Sequence, residues 1–361
     1  MTTNKNKELY LFLSLTLFNH PKKAHSLLEK FQDFQSLSKE SNQIKAVLSP
    51  YEKQQFDRIL ENFNLEIYLE KAKKLNTTLL FINQENYPPL LKETSFPPLV
   101  LYCQGNLDLL KEPSFAIVGS RSPSQYGETN TQHFTQVLSS HFTIVSGLAL
   151  GIDAIAHQQC LDNPKSTIAV LANGVDVIYP KSNSFLQENI CKKGLLISEF
   201  PLGCQPSKRY FPQRNRIISG LSQGVLIPEA KQKSGSLITA YYANEQNRDV
   251  FAIPGSIHSN QSEGCHNLIN EGAKLCQNPQ DILQDYQLKP IKNLMRYKEK
   301  QIPLLDDDEK KVLEIITDEA ISIDKLLFKS NLSLPKLLQI LSFLELENLI
   351  YKKQQQYFKK Q

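Results

Sequence analysis

The chain has 361 residues, of which 41 are Lys or Arg and 37 are Asp or Glu, so its formal net charge at pH 7 is only +4. This near-balance excludes a positive field over the whole molecule, so any site for a polyanion must be a local patch of cations. The length exceeds that of one ordinary domain and predicts two or three domains.

The six cysteines are widely spaced and include no Cys-x-x-Cys pair. This pattern is typical of reduced thiols in a cytoplasmic protein, not of a disulfide framework or a zinc site. We therefore expect a cytoplasmic protein that holds no metal. The six are Cys103, Cys160, Cys191, Cys204, Cys265 and Cys276.

An apolar run near the start, "LYLFLSLTLF" from Leu9 to Phe18, resembles the core of a secretory signal. However, Glu8 adjoins it, and "NHPKK" follows where a signal has small residues at its cleavage site. The run is also too short to span a bilayer. We expect a buried first helix and no association with a membrane.

Residues 1–75 have apolar side chains at three-to-four spacing, as in "KAHSLLEKFQDFQSL" and "EKQQFDRILENF". This spacing predicts short amphipathic helices packed in a small helical domain. Its arrangement before the middle region is similar to that of a known family of proteins, which implies a domain of the SAM-like kind. A Pro-rich stretch, "YPPLLKETSFPPLVLYCQG", then predicts extended chain leading into the middle of the protein.

From Phe115 onward, short apolar runs such as "FAIVG", "FTIVSG", "TIAVLANG", "GLLISEF", "GVLIPEA" and "DVFAIPG" alternate with helical patterns. Apolar strands separated by helices indicate a parallel sheet covered on both faces. We predict an α/β fold, an extended Rossmann-like doubly wound sheet, over residues 76–288.

A Lys-rich linker is predicted over residues 289–303, followed by a winged-helix domain over residues 304–361. Its candidate recognition helix, "LPKLLQILSFLELENL", has one Lys and two Glu. So few cations favour a structural or partner-docking role over reading a DNA groove.

The loops that follow the strands are where such sheets bind ligands, often through helix N-termini. In "IVGSRSPSQYG", the residues Gly119, Ser120 and Arg121 have the composition of an anion cradle. The segment lacks the G-x-G-x-x-G spacing, and the chain has no G-x-x-x-x-G-K-S/T run, so we expect neither a dinucleotide nor ATP, and no cofactor.

Asp153 and His157 fall one helical turn apart after the next strand. They could form an acid/base pair, but no nucleophile or metal ligand accompanies them. We favour Asp153 as a stabiliser of the first helical turn and His157 as a buried hydrogen-bonding side chain.

The stretch "SKRYFPQRNR" combines cations with aromatic rings and has no acid. Cations neutralise phosphates and rings stack on bases, which is the composition of a site for single-stranded nucleic acid. The alternative is that the arginines pair with acids while Phe211 is core; it stays open for Arg216 and is disfavoured for Lys208 and Arg214. The candidate binding residues here are Lys208, Arg209, Phe211, Arg214 and Asn215.

A fourth loop, "EAKQKSGSLITA", opens a helix with the small residues Ser234, Gly235 and Ser236. Their N–H groups are free to meet a phosphate. Several loops with chemistry suited to phosphate are thus expected at one edge of the sheet.

Ordered blocks over residues 80–285 resemble the DprA/Smf family of DNA-processing proteins. They include "VGSR", "SGLALGIDAIAH", "LISEFPLG", "FPQRNRIISGLS", "EAKQKSGSLITA" and "GCHNLINEGA". The resemblance implies a homodimer that binds single-stranded DNA without catalysis and helps load the RecA recombinase during natural transformation. It implies that Arg121 lies in the DNA pocket, that Lys208 contacts a phosphate and that Phe211 stacks on a base.

Two features depart from that family. Leu150 stands where Arg is common, which removes one cation unless Arg209 compensates. All fourteen glycines lie between Gly105 and Gly272. The N-terminal zone therefore lacks the turn of a helix-hairpin-helix, and we expect it to have no role in DNA binding.

Two other functions compete with this one. Related Rossmann folds hydrolyse nucleoside monophosphates, for which Glu229 would be the catalytic carboxylate; we favour instead an ion pair between Glu229 and an Arg of "FPQRNR". The third possibility is a scaffold whose winged helix recruits partners.

Overall fold

The structure is a computed structural model that describes residues 2–161, 163, 166–288, 305–316, 321–346, 349–353 and 356–359. Packing divides the chain into two units, Met1–Pro290 and Ile291–Gln361. The predicted linker, residues 289–303, lies outside the described residues.

Six helices begin the chain. They are α1 (Thr2–Leu17), α2 (Pro21–Lys30), α3 (Phe34–Lys39), α4 (Ser41–Ala46), α5 (Pro50–Asn62) and α6 (Leu65–Lys74). The apolar run is confirmed as a buried helix, since Leu9, Phe12 and Leu17 are at most 1% exposed. No helix in the described ranges is long and apolar enough to span a bilayer.

Capping residues explain where these helices begin. The pattern over residues 23–37 predicted one helix, but the structure has two, because the Asp33 carboxylate accepts the Ser36 N–H at 2.8 Å and starts α3 there. Ser49 and Glu52 form the same kind of capping box at α5.

The helices share one hydrophobic cluster with the strands that follow them. Phe12 and Phe56 belong to it, and so do Val100 and Tyr102. Residues 1–75 therefore pack onto the middle region and have no hydrophobic core of their own.

The middle region contains nine strands and eight helices, with two short 3-10 helices at Leu107–Lys111 and Lys181–Asn183. The strands are β1 (Thr78–Phe81), β2 (Val100–Gly105), β3 (Ser114–Ile117), β4 (Thr143–Ser146), β5 (Thr167–Val170), β6 (Leu195–Ser198), β7 (Gly224–Ile227), β8 (Asp249–Ala252) and β9 (Lys274–Leu275). The helices are α7 (Pro89–Lys92), α8 (Gln125–Leu138), α9 (Ile152–Cys160), α10 (Ser184–Lys193), α11 (Tyr210–Leu221), α12 (Ser236–Glu245), α13 (Glu263–Asn270) and α14 (Pro279–Asp285).

The strands form one sheet in the order β1-β2-β6-β5-β4-β3-β7-β8-β9. The seven strands from β6 to β9 are parallel, as the alternation predicted. The prediction of a purely parallel sheet was incomplete, because β1 and β2 add an antiparallel edge. Their direction is set by the pairing of β2 with β6, a contact that no local pattern reveals.

The middle of the sheet contains the point where the winding reverses. β3 lies between β4 and β7, so the chain proceeds to one side from β3 and to the other side from β7. The carboxyl ends of β3 and β7 therefore open a crevice between them, which is where sheets of this kind bind ligands.

The described residues of the second unit form three helices and a three-stranded sheet, as predicted for a winged helix. The elements are α15 (Asp307–Ile315), β10 (Ile321–Ser322), α16 (Ile323–Ser330), α17 (Leu334–Leu346), β11 (Ile350–Lys353) and β12 (Gln356–Lys359). In α17, the candidate recognition helix, Leu337 and Leu344 are fully buried. Lys336, the one cation in that segment, pairs with Asp308.

Candidate nucleic-acid interface

A cleft of about 420 Å³ opens at the carboxyl ends of β3 and β7. Most of its lining comes from three segments, the loop after β3, the first half of α11 and the loop that opens α12; Ala149 and Asp153, from the turn after β4 and the start of α9, also line it. Of the eleven residues predicted to form the site, nine line this cleft: Gly119, Ser120, Arg121, Phe211, Arg214, Asn215, Ser234, Gly235 and Ser236.

The ring of Phe211 lies among two guanidinium groups and a second ring. The guanidinium carbons of Arg121 and Arg214 are 5.5 and 5.9 Å from its centroid, and the Tyr179 ring is 5.7 Å away. Phe211 is half-buried, whereas Arg121 is exposed. Arg121 lies 90 positions before Phe211 in the sequence, so only folding brings the two side chains together.

Arg214 is fixed beneath this group. It is 4% exposed, and its guanidinium donates to the Gly147 carbonyl at 2.5 Å and to the Val170 carbonyl. Burial lowers the pKa of Arg214 to about 10, while the charge of Asp153 acts in the opposite direction. A Cβ on Gly147 would lie 2.6 Å from this guanidinium, so the turn after β4 needs glycine for Arg214 to fit.

Asp153 and His157 have the structural roles that we favoured. The Asp153 carboxylate accepts the N–H groups of Gly147 and Ala149 at 3.1 and 3.4 Å. It thereby holds the turn against which Arg214 packs.

His157 is fully buried at the base of the same turn. The Thr167 hydroxyl donates to the Ile144 carbonyl at 2.6 Å, so it accepts from Nδ1–H of His157 at 2.7 Å, and Nε2 accepts the Leu148 N–H at 3.3 Å. Burial, with the nearby charge of Arg214, lowers the pKa of His157 to about 3. The imidazole is therefore neutral and fully hydrogen-bonded.

Asn215 joins two of the three segments. Its amide donates to the Gly235 carbonyl at 3.1 Å, and its side-chain oxygen accepts from Nε of Arg214 at 3.2 Å. The Ser234 and Ser236 hydroxyls are 2.7 Å apart at the start of α12. The expectation that N–H groups here are free was wrong for three of them: the Ser236 N–H donates to the Ser234 hydroxyl at 3.3 Å, and the N–H groups of the next two residues donate to the carbonyls of Ser234 and Gly235.

Arg216 pairs with an acid, which is the alternative to DNA binding that the sequence left open. Its guanidinium pairs with Glu199 and donates to the Phe96 carbonyl at 2.8 Å. Burial raises the pKa of Glu199, and Arg216 opposes that shift. Arg216 anchors α11 to the sheet and does not line the cleft.

The predicted ion pair of Glu229 with an arginine of α11 was wrong. The Glu229 carboxylate, 2% exposed, accepts from the N–H and hydroxyl of Ser124 at 2.8 and 2.6 Å, where α8 begins. Among the described side chains, no Arg or Lys pairs with it. The charge of the carboxylate is instead balanced by the hydrogen bonds at the N-terminus of α8, which no local pattern indicated.

Lys208 and Arg209 lie just before α11, exposed, and outside the lining of the cleft. The Arg209 guanidinium lies over the Tyr210 ring at 5.2 Å. Leu150, 44% exposed, borders a recess of about 70 Å³ next to Arg121 and Phe211. A side chain at position 150 therefore faces the site.

Two cations at the cleft were missed by sequence reasoning. Lys231 and Lys233, both exposed, line it from the loop after β7. Only the small residues of that loop were considered in the sequence. The two lysines that precede them in "EAKQKSGS" were the available signal.

Within the described ranges, no group of three or more His, Cys, Asp or Glu side chains is placed to hold a metal ion. All six thiols are free. Burial raises the pKa of Cys103 and of Cys265 to about 12, so both stay protonated near neutral pH.

A doubly wound sheet with cations, a ring and helix N-termini at its switch point defines an α/β protein suited to a phosphate-containing ligand. The chain belongs to the DNA recombination-mediator protein A family, whose sequence profile matches residues 78–287. The profile of the DprA winged helix domain matches residues 298–352.

Curated relatives and solved structures agree with this membership. The chain is 51% identical to DNA processing protein DprA of Streptococcus pneumoniae over 201 residues, which are 56% of this chain and 71% of that protein. It is 42% identical to DprA of Bacillus subtilis over 246 residues, 68% of this chain and 81% of that one.

Two solved structures have a similar fold. The crystal structure of S. pneumoniae DprA matches with a TM-score of 0.67 and 41% identity, covering 77% of this chain and 97% of that one. DNA processing protein A of Helicobacter pylori, described for its single-stranded DNA binding mode, matches with a TM-score of 0.54 and 33% identity, covering 58% and 95%.

Proposed function

We propose that the cleft binds single-stranded DNA and that the protein acts without catalysis. The observation that carries the proposal is the position of Phe211, a half-buried ring whose centroid lies 5.5 and 5.9 Å from two guanidinium carbons, at a cleft that Lys231 and Lys233 also line. Exposed cations neutralise phosphates, and an aromatic face stacks on a base of any identity.

Differences in burial assign different roles to the cations of the cleft. Nη1 of the buried Arg214 donates to two carbonyls and Nε donates to Asn215, so we assign Arg214 to positioning Phe211. The exposed Arg121, Lys231 and Lys233 are available to phosphates. Lys208 and Arg209, on the preceding turn, would meet the strand where it leaves the cleft. The H. pylori relative, described as binding single-stranded DNA, supports the same class of ligand.

The environment of Glu229 favours binding over hydrolysis. A nucleoside monophosphate hydrolase would need this carboxylate beside the phosphate loop, but both of its oxygens are occupied by Ser124 and it does not line the cleft. Release of free base from nucleoside monophosphates incubated with the purified protein would contradict a purely binding role.

The resemblance to the DprA/Smf family extends the proposal to the protein's partners. We infer a cytoplasmic homodimer that protects incoming single strands and helps load RecA during natural transformation. Co-precipitation of purified RecA in the presence of single-stranded DNA tests the partner, and the molar mass in solution tests the dimer.

Titration of a labelled oligonucleotide, single-stranded against duplex, at several salt concentrations tests the cleft. We expect a preference for the single strand, and a log-log salt slope that shrinks by about 0.7 for each phosphate contact removed, as in Arg121→Ala or Lys208→Ala. Lys192→Ala, an exposed cation on α10 outside the cleft, is the matched control. Equal slopes in all four proteins would exclude this site.

A further inference from the structure

A groove of about 890 Å³ runs between the N-terminal helices and the loop after β6. We name it the helical groove. It is lined by Leu15, Phe18, Tyr51, Gln54, Gln55, Arg58, Ile59, Asn62, Phe63, Asn64, Ile67, Tyr68, Lys71, Pro201, Leu202, Gly203 and Cys204.

The lining of the helical groove has the same chemistry as the cleft. It includes two cations, four aromatic rings and four amide side chains, and no carboxylate is among the described residues that line it. Tyr51 is 61% exposed, although it is aromatic, and Ile67 is 67% exposed. This composition is that of a surface on which a phosphate backbone and unpaired bases bind together.

The two cations of the groove are available to a ligand. Arg58, on α5, and Lys71, on α6, are exposed, and neither forms an ion pair among the described side chains. Two acids close to the groove are engaged elsewhere: Asp57 pairs with Lys45, and Asp176 accepts the Gly203 N–H at 2.9 Å.

The helical groove and the cleft border the same hydrophobic cluster. Phe18 and Cys204, which line the groove, pack on the same hydrophobic cluster as Phe211, which lines the cleft. That cluster is built on Phe200 and Tyr210, whose rings stack at 4.6 Å.

Two further contacts join the two sites. Gln213, on α11, donates to the Phe18 carbonyl at 2.5 Å. The guanidinium of the exposed Arg209 lies over the Tyr210 ring at 5.2 Å, and that ring contacts the Phe18 ring of the groove at 5.9 Å. A strand that leaves Phe211 along Arg209 is therefore directed toward the groove.

We propose that the helical groove is the second part of the DNA path, and that it binds the segment of single strand that leaves the cleft. Arg58 and Lys71 contact phosphates, and Tyr51 stacks on a base. The inference rests on the proposed function of the cleft. It reverses the expectation from sequence that residues 1–75 have no role in DNA binding.

Oligonucleotide length separates the two sites. Oligothymidylates of about 4 to about 16 nucleotides, the range of sites in single-strand binders, are titrated against the full chain. We expect wild-type affinity to rise with length until the strand reaches the groove. The double variant Arg58→Ala/Lys71→Ala should bind the shortest strand normally and lose about 1.4 from the salt slope of the longest, about 0.7 for each of two phosphates.

Tyr51→Ala should weaken binding of the longest strand at least about fivefold, the equivalent of about 1 kcal/mol for one lost stack, and leave the salt slope unchanged. Lys39→Ala/Lys73→Ala removes the same charge from exposed positions outside the groove and should match wild type at every length.

Each remaining outcome decides between the two proposals. Wild-type behaviour of both groove variants at every length, with a loss in Arg121→Ala, would overturn the groove and keep the cleft. An equal loss of affinity at all lengths in the groove variants would also overturn the groove proposal, because the groove would then not bind a segment of the strand beyond the cleft. No loss in Arg121→Ala at any length would overturn the cleft and the inference with it.

Discussion

Phe211 is the residue on which single-strand recognition depends, because its ring is held by Arg214 from below and borders Arg121. We predict that Phe211→Ala lowers the affinity for a single strand by about 1 to 3 kcal/mol, the value of one base stack. The salt slope should not change, since no phosphate contact is lost. Oligonucleotide titration at two salt concentrations measures both quantities.

The matched control for Phe211 is Phe185, on α10, which is 76% exposed and outside the cleft. Phe185→Ala should bind as wild type does. If both variants lost affinity equally, the effect would be one of general surface hydrophobicity and Phe211 would have no specific part in binding.

His157 makes folding stability depend on pH. Its pKa is about 3 in the folded protein, against about 6.5 in an unfolded chain, so below pH 6.5 the unfolded state binds a proton that the folded state does not. Stability is complete above pH 6.5 and is lost as the pH falls toward 3. Between pH 7 and pH 5 this residue should remove about 2 kcal/mol from the free energy of unfolding.

Urea unfolding of wild type and of His157→Gln at the two pH values tests this. Glutamine has an acceptor and a donor but does not titrate, so the variant should lose about 2 kcal/mol less than wild type over the same interval. Parallel losses in the two proteins would show that His157 is not the residue responsible.

At the scale of the element, α11 combines anchoring with binding. Its first half presents Phe211 and Arg214 to the cleft, while Arg216, two residues after Arg214 and therefore on the opposite side of the helix, pairs with Glu199. We predict that Arg216→Ala lowers the free energy of unfolding by about 3 to 5 kcal/mol, because it leaves Glu199 buried without its partner. Single-strand affinity under native conditions should stay within about twofold, since Arg216 lies outside the cleft.

The double variant Glu199→Gln/Arg216→Met distinguishes this from loss of packing. It removes both charges and should recover part of the lost stability. Urea unfolding measures the recovery. A fall in affinity without a fall in stability would instead assign Arg216 to binding.

Most of the elements were predictable because their patterns are local. Seven apolar runs became the seven parallel strands, and the helical segments between them became helices. The antiparallel strands β1 and β2 were not predicted as strands, since Pro-rich flanks obscure their edges and their direction depends on β6. The break at Asp33 was missed because a capping side chain interrupted a continuous apolar pattern.

At the scale of the whole molecule, the two units have separate hydrophobic cores. Every hydrophobic cluster in the described ranges lies entirely within one of them, and the cluster of the winged helix includes only residues from 305 to 357. We predict that a chain ending at residue 288 folds and binds a single strand within about twofold of the full chain. Circular dichroism and oligonucleotide titration check this prediction.

A chain ending at residue 288 that folds but binds much more weakly would show that the winged helix contributes to binding. We expect instead that the shortened chain binds within about twofold of the full chain, because α17 has few cations and Lys336 pairs with Asp308. Full-length protein at the same ionic strength is the reference.

The amino-acid sequence by itself determined the class of the fold, the family and the chemistry of the site. Strand and helix periodicity is local, and the cations and rings of residues 207–216 are visible without any contact. Only the tertiary structure decided which of those side chains are exposed. Arg121, Arg214, Arg216 and Glu229 are all ionisable residues whose roles the sequence does not distinguish. Burial and partners make the first a candidate contact, the second a support, the third an anchor and the fourth an acceptor for Ser124 at the start of α8. The helical groove could not have been predicted at all, because it exists only where α5 and α6 meet a loop more than a hundred residues away along the chain.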